Sequence, residues 1–211
     1  MYQRIFTLFK MSEYNKTYRL NGEHFYRDMH MPDFTPLHTL QEIENYEFDD
    51  KEIIVTTYPK CGTSLMQALA YLVLTEDFDH EKPLQQLVPF LELYVEGVVS
   101  GMDTVKNRPN PGLIKTHLTP DYFEKTLAKK KTKFIIIIRN LKDVLVSYYH
   151  MYRMCKAGFC CYQGTWNDFF ELFKEDRLGF GNYFRVNLAW WKMRDDPRVL
   201  FVKYEDILKK P

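Results

Sequence analysis

Three ionisable residues each follow a short apolar run in this chain. Lys60 comes after Ile53-Ile54-Val55, His117 after Leu113-Ile114, and Arg139 after the continuous run FIIII at 134–138. A lysine and an arginine at such places can hold anions. A histidine can move a proton near neutrality. Lys60 lies in a turn marked by Pro59 and Gly62, and a helical pattern follows, with Leu65, Leu69 and Leu72 on one face and Met66 and Val73 beside it. That order reads as strand, tight loop, helix. Backbone N–H groups at the start of a helix lack an intrahelical partner, and the helix dipole adds positive potential there. With Lys60 and the small polar residues Cys61, Thr63 and Ser64, the loop can form an anion site. The pattern alone fits a solvated lysine in an ordinary βα turn equally well. The common nucleotide loop G-x-x-x-x-G-K-[ST] is absent, since Lys60 precedes Gly62.

Arg139 stands at the end of a run apolar enough for a strand buried on both faces, where ligands bind in open α/β sheets. Asn140 and Asp143 form a capping pair for the helix that follows, with Val144, Leu145, Tyr148, Tyr149 and Tyr152 along it. By spacing alone, Arg139 could equally pair a neighbouring carboxylate, and a lone histidine such as His117 is more often structural than catalytic.

Four segments change that balance. TYPKCGTS at 57–64 resembles the 5′-phosphosulfate loop of the cytosolic sulfotransferases, usually TYPKSGTxW; it departs at Cys61 and at Leu65, where the family has serine and tryptophan. Lys115-Thr116-His117-Leu118 resembles the family's KTHLP, with Thr119 inserted before Pro120. RNLKDVLVSYYH at 139–150 resembles RNPKDVxVSxYH, the 3′-phosphate segment, and Tyr204-Glu205-Asp206 matches YED.

The resemblance implies transfer of a sulfuryl group from 3′-phosphoadenosine 5′-phosphosulfate (PAPS), as co-substrate, to a hydroxyl or amine of a small molecule. It implies His117 as general base, Lys60 at the departing oxygen and Lys115 supporting the transferring group. Lys60, Cys61, Gly62, Thr63 and Ser64 would surround the 5′-phosphate, Arg139 and Ser147 the 3′-phosphate, and Tyr204 the adenine, with Leu65 where a tryptophan would stack on it. No metal is required. Cys61, at a helix start beside Lys60, is expected to carry a lowered thiol pKa and to be the most reactive cysteine. The fold implied is α/β: a central parallel sheet flanked by helices on both faces, related to the nucleotide kinases. Its strands are expected at Ile53–Thr57, Leu113–Thr116, Phe134–Arg139 and Val199–Val202.

Composition fits these expectations. The 211 residues suit a single domain over 1–211, 45% hydrophobic and 16% aromatic. Net charge is +1, so no global field points to nucleic acid or an anionic membrane. Four cysteines without a C-x-x-C pair suggest a reducing, cytoplasmic compartment and no zinc site. MYQRIFTLFKM at the start is too short and too charged for a signal peptide or a membrane span, and Met11 could be an alternative start.

Further elements are expected along the chain. A turn falls at Asn21-Gly22, helices at 38–46, 121–133 and 166–174, and partial helix at 84–94. Ser100–Gly112 and Met151–Gly164 read as loops, and Trp190-Trp191 as core.

The family continues well past Pro211, so the sequence reads as a domain incomplete at its carboxyl end. It would lack the R-K-G clamp, the adenine lid and the dimer motif, although a homodimer is possible in the family. An inactive truncated protein with weak nucleotide or partner binding is the main alternative. A phosphotransferase of related fold is another, and the lysine-before-glycine order counts against it.

Overall fold

The structure, a computed structural model, describes residues 24–27, 29–79, 82–129, 131–154 and 162–209. The turn expected at Asn21-Gly22 lies outside these residues, as do Cys155, Cys160 and Cys161.

A small hairpin comes first, β1 (His24–Tyr26) antiparallel to β2 (Met29–Met31), followed by α1 (Leu37–Asn45). The central sheet then begins with β3 (Ile53–Thr57), which feeds α2 (Thr63–Thr75). The short elements α3 (Leu84–Leu87), β4 (Tyr94–Val95), β5 (Val99–Ser100) and α4 (Gly101–Asn107) lead to β6 (Leu113–Thr116). A 3-10 turn at Pro120–Phe123 and α5 (Glu124–Lys129) precede β7 (Lys133–Ile138). Helices α6 (Leu141–Met154), α7 (Trp166–Lys174) and α8 (Tyr183–Trp191) then lead to β8 (Val199–Lys203) and α9 (Tyr204–Lys209).

β6, β3, β7 and β8 form one sheet in that order, every pairing parallel. The chain moves from β3 outward to β6, then crosses β3 to reach β7. Period-two alternation splits each strand between two cores. Ile54, Ile114, Phe134 and Ile136 join the large aromatic core, with Trp190 and Tyr148. Val55, Leu113 and Ile137 face the smaller core, with Met66 and Ala70 of α2. The all-apolar reading of 134–138 thus reflects burial on both faces.

Several expectations need correction. The apolar face of α2 is not its core face. Thr63, Met66, Gln67 and Ala70 are buried, while Leu69 is 37% exposed and Leu65 and Leu72 are half-buried. The region 100–112 is not all loop: Ser100 Oγ accepts the Asp103 N–H and caps α4. Gly101 permits this, because a Cβ there would lie 1.9 Å from the Phe90 carbonyl oxygen. The helix expected over 121–133 is a 3-10 turn followed by the short α5. The partial helix expected in 84–94 is found at Leu84–Leu87, whereas α6 extends to Met154 into the expected loop. Trp190 is core, whereas Trp191 is 45% exposed.

Candidate active site

The four parallel strands end on the same edge of the sheet, and each delivers one polar or aromatic group there. Across the sheet these are His117 after β6, Lys60 in the loop after β3, Arg139 after β7 and Tyr204 after β8. A cavity of about 420 Å³ opens on this edge. Its lining includes Lys60, Gly62, Thr63, Ser64 and Leu65 from the β3–α2 region, together with Lys115, His117, Arg139, Ser147 and Tyr204. The carboxyl edge of such a sheet, beside the strand where the order reverses, is the place where ligands bind.

The β3–α2 loop holds two left-handed residues, Lys60 at φ 70° and Gly62 at φ 105°. A non-glycine residue there stores local strain, a feature that clusters at binding loops. Gly62 has a second constraint. A Cβ on it would lie 2.4 Å from Cδ2 of Tyr204, so the Tyr204 ring rests directly on the loop backbone. The first α2 backbone bond is Met66 N–H to the Gly62 carbonyl, at 3.0 Å. The N–H groups of Thr63, Ser64 and Leu65 precede it and have no helical acceptor. Thr63 is anchored by its hydroxyl, 2.6 Å from that of Thr57.

His117 is buried, and Nδ1 donates to the Thr57 carbonyl at 2.7 Å. That bond fixes the neutral tautomer with Nε2 as the basic nitrogen. Burial pushes the imidazole well below its usual range, and the charges of Lys115 and Lys60 add to the shift. The ring stands between two phenylalanines, with centroids 5.2 Å from Phe90 and 4.9 Å from Phe180. Lys115 Nζ lies 3.8 Å from the Phe90 ring centroid, and burial lowers its pKa.

The opposite end of the edge gathers hydrogen-bond donors. Arg139 donates from one terminal nitrogen to the Lys60 carbonyl at 3.1 Å and lies 4.3 Å over the Tyr204 ring. Its Nε is buried with no partner among the described residues. A guanidinium that still has a donor to satisfy, beside unpaired helix N–H groups, suits a phosphate. Glu205 Oε1 accepts the Asn140 N–H at 2.8 Å, and Asn140 Oδ1 accepts the Lys142 N–H at 2.9 Å. These bonds set the start of α6, from which Ser147 reaches the cavity two turns on.

The family model for the sulfotransferase domain matches residues 50–211. The chain belongs to the sulfotransferase family. It is 39% identical over 176 residues to sulfotransferase 1A1 of Bos taurus, covering 82% of this chain and 59% of that relative. It is 34% identical over 174 residues to sulfotransferase 1 family member D1 of Mus musculus, covering 81% of this chain and 58% of that relative. The chain thus spans less than two thirds of the length of these relatives. Among solved structures, mouse sulfotransferase SULT7A1 complexed with PAP is similar at 27% identity and TM-score 0.74, over 89% of this chain and 64% of that one. Retinol dehydratase in complex with androsterone and inactive cofactor PAP is similar in fold, at 19% identity and TM-score 0.81, over 95% of this chain and 69% of that one.

In this sulfotransferase-family chain, every candidate residue but one lines the cavity. The exception is Cys61. Its side chain is fully buried in the aromatic core and does not face the site. The expected lowering of its thiol pKa is reversed: burial pushes it up to about 12 despite the nearby Arg139. The loop backbone turns Cys61 inward, its N–H bonded to the Tyr58 carbonyl at 3.2 Å. Sequence reasoning did not find Phe90, Phe180 and Met151, which complete the lining, nor Thr57 and Glu92 behind His117. Phe180 carried one signal, its place between Gly179 and Gly181; its φ is 64°. Among the described residues no helix is long and apolar enough to cross a membrane.

Proposed function

We propose that this chain carries the donor and base sites of a PAPS-dependent sulfotransferase acting on a small phenol, alcohol or amine, as one domain working in the cytoplasm. One observation carries the reading. A neutral, tautomer-fixed His117 lines the same cavity as the cationic Lys60 and Arg139 and the hydroxyl of Ser147. The PAP held by the similar mouse structure supports a nucleotide of this kind. The cytoplasmic setting rests on the cysteine pattern and the family resemblance.

The residues have separable roles. The Thr63–Leu65 N–H groups and Arg139 would hold the two phosphates. PAPS supplies the sulfuryl group. Lys60 would offset the charge that grows on the departing oxygen, while His117 Nε2 takes the proton of the attacking hydroxyl or amine. Phe90 and Phe180 pack against the His117 ring and present apolar surface to the cavity, which strengthens each charge interaction there. Little covalent help is needed for such transfers, as with phosphoryl groups, so positioning and charge do most of the work.

The test is calorimetric titration with adenosine 3′,5′-bisphosphate beside magnesium-ATP. The bisphosphate should bind preferentially, and Arg139→Ala should weaken it by roughly ten- to a hundredfold, the loss of one charge-assisted bond. Equal binding of both nucleotides, unchanged in Arg139→Ala, would sink the proposal.

A further inference from the structure

Glu92 is a fully buried carboxylic acid that does not line the cavity. Its Oε1 accepts the His117 backbone N–H at 2.5 Å and the Thr116 hydroxyl at 2.9 Å. Thr116 Oγ1 also accepts the Leu118 N–H at 3.1 Å, so its proton is directed at Glu92. Two donors therefore converge on one oxygen, which favours the ionised acid. Oε2 is buried with no partner among the described residues.

The backbone places this carboxyl group behind two site residues at once. Lys115 N–H donates to the Pro89 carbonyl and Leu91 N–H to the Lys115 carbonyl, both at 2.9 Å. Residues 89–92 thus run beside β6, with Phe90 opposite Lys115. The strip carries the aromatic ring that packs on Lys115 and His117, and two residues on, the carboxyl group that holds the His117 backbone. A buried carboxylate is expensive, and a glutamine could accept the same two bonds without the charge. Two charges act on Lys115 in opposite senses: Glu92 on the strip raises its proton affinity and Lys60 on the β3–α2 loop lowers it. Burial pushes Glu92 up and Lys115 down, and each charge opposes the other's shift.

We propose that Glu92 is a positioning residue: its carboxylate pins the Thr116–His117 end of β6 and sets a buried negative charge on the strip that packs against Lys115. The inference rests on the sulfuryl-transfer reading for its purpose, but its central measurement does not need turnover. Glu92→Gln keeps the shape and both acceptor bonds, removes the charge and puts an amide NH2 where Oε2 stands. In protein carrying 13C at lysine Cε, the Lys115 resonance, assigned by its loss in Lys115→Met, is titrated by NMR in both backgrounds. The Lys115 midpoint should fall in Glu92→Gln by about one pH unit or more. In the transfer assay, kcat should drop roughly ten- to a hundredfold while affinity for adenosine 3′,5′-bisphosphate holds. A Lys115 midpoint that stays put overturns the proposal, whatever happens to kcat. A shifted midpoint in a protein with no transfer activity supports the charge role and counts against the proposed function instead.

Discussion

The two ends of the ligand-binding edge follow opposite rules. At the β6 end, Lys115 and His117 are walled by phenylalanines and backed by a buried carboxylate. Burial there moves proton affinities: down for His117 and Lys115, up for Glu92. At the β7–β8 end, Arg139 is half-buried, stacks on Tyr204 and donates to the Lys60 carbonyl. Proton transfer needs a base whose protonation is tuned, and low dielectric is the tool for that. Anion binding needs charges that stay on, and solvent contact with backbone dipoles serves it. One sheet edge supplies both environments because β3 separates them.

The sharpest way to break this division is His117→Ala. It should reduce turnover by roughly 10²–10⁴-fold, the usual loss of a general base, and leave bisphosphate affinity unchanged. The pH profile sharpens it further. A depressed imidazole pKa keeps the base neutral to lower pH, so the acid limb of the wild-type rate should lie below the ordinary histidine value near 6.5. The same shift makes the fold acid-sensitive. The unfolded chain takes up this proton near that value and the folded chain only at lower pH, so stability falls as pH drops below it. A rate profile with its acid limb above 6.5, or unimpaired turnover in His117→Ala, would remove His117 from the chemistry.

Much of this was legible because local sequence and tertiary role agree. The run at 134–138 is apolar at every position because both faces of β7 are covered. Pro59, Lys60 and Gly62 announce the loop because only a tight turn uses them together. The misreadings arise where tertiary contacts override the pattern. The α2 helix buries Thr63 and Gln67 rather than its leucine stripe, since Thr63 is tied to Thr57 on the neighbouring strand. Gly101 reads as a loop residue but serves a close approach to Phe90. Glu92 has no local signature, because its partners lie 24 and 25 residues away.

Gly62→Ala tests the other end with a smaller effect. The left-handed conformation should cost roughly 1–2 kcal/mol in a residue with a Cβ. The added methyl must also displace the Tyr204 ring, which lies well inside contact distance of it. Thermal unfolding should shift down, and bisphosphate affinity should fall about tenfold or more as the ring and the loop N–H groups move. An unchanged melting temperature with unchanged affinity would show that Tyr204 and the loop backbone are not coupled.

Cys61 sits in the same loop, and it separates backbone role from side-chain role. Its neighbours Lys60 and Gly62 face the cavity, while its own sulfur faces the core. A helix start beside a lysine should favour a thiolate. Burial outweighs that field here, and the thiol is pushed up to about 12. At pH 8 the thiolate fraction is then on the order of one in ten thousand, against roughly a quarter for an ordinary thiol. Iodoacetamide labelling followed by peptide mass spectrometry should find Cys61 unmodified in the folded protein and modified in urea. Adenosine 3′,5′-bisphosphate should make no direct difference, because the sulfur does not touch the cavity. Rapid native labelling that the nucleotide blocks would place the sulfur in the anion site. Position 61 would then contribute its side chain to binding, and not the turn of its backbone alone.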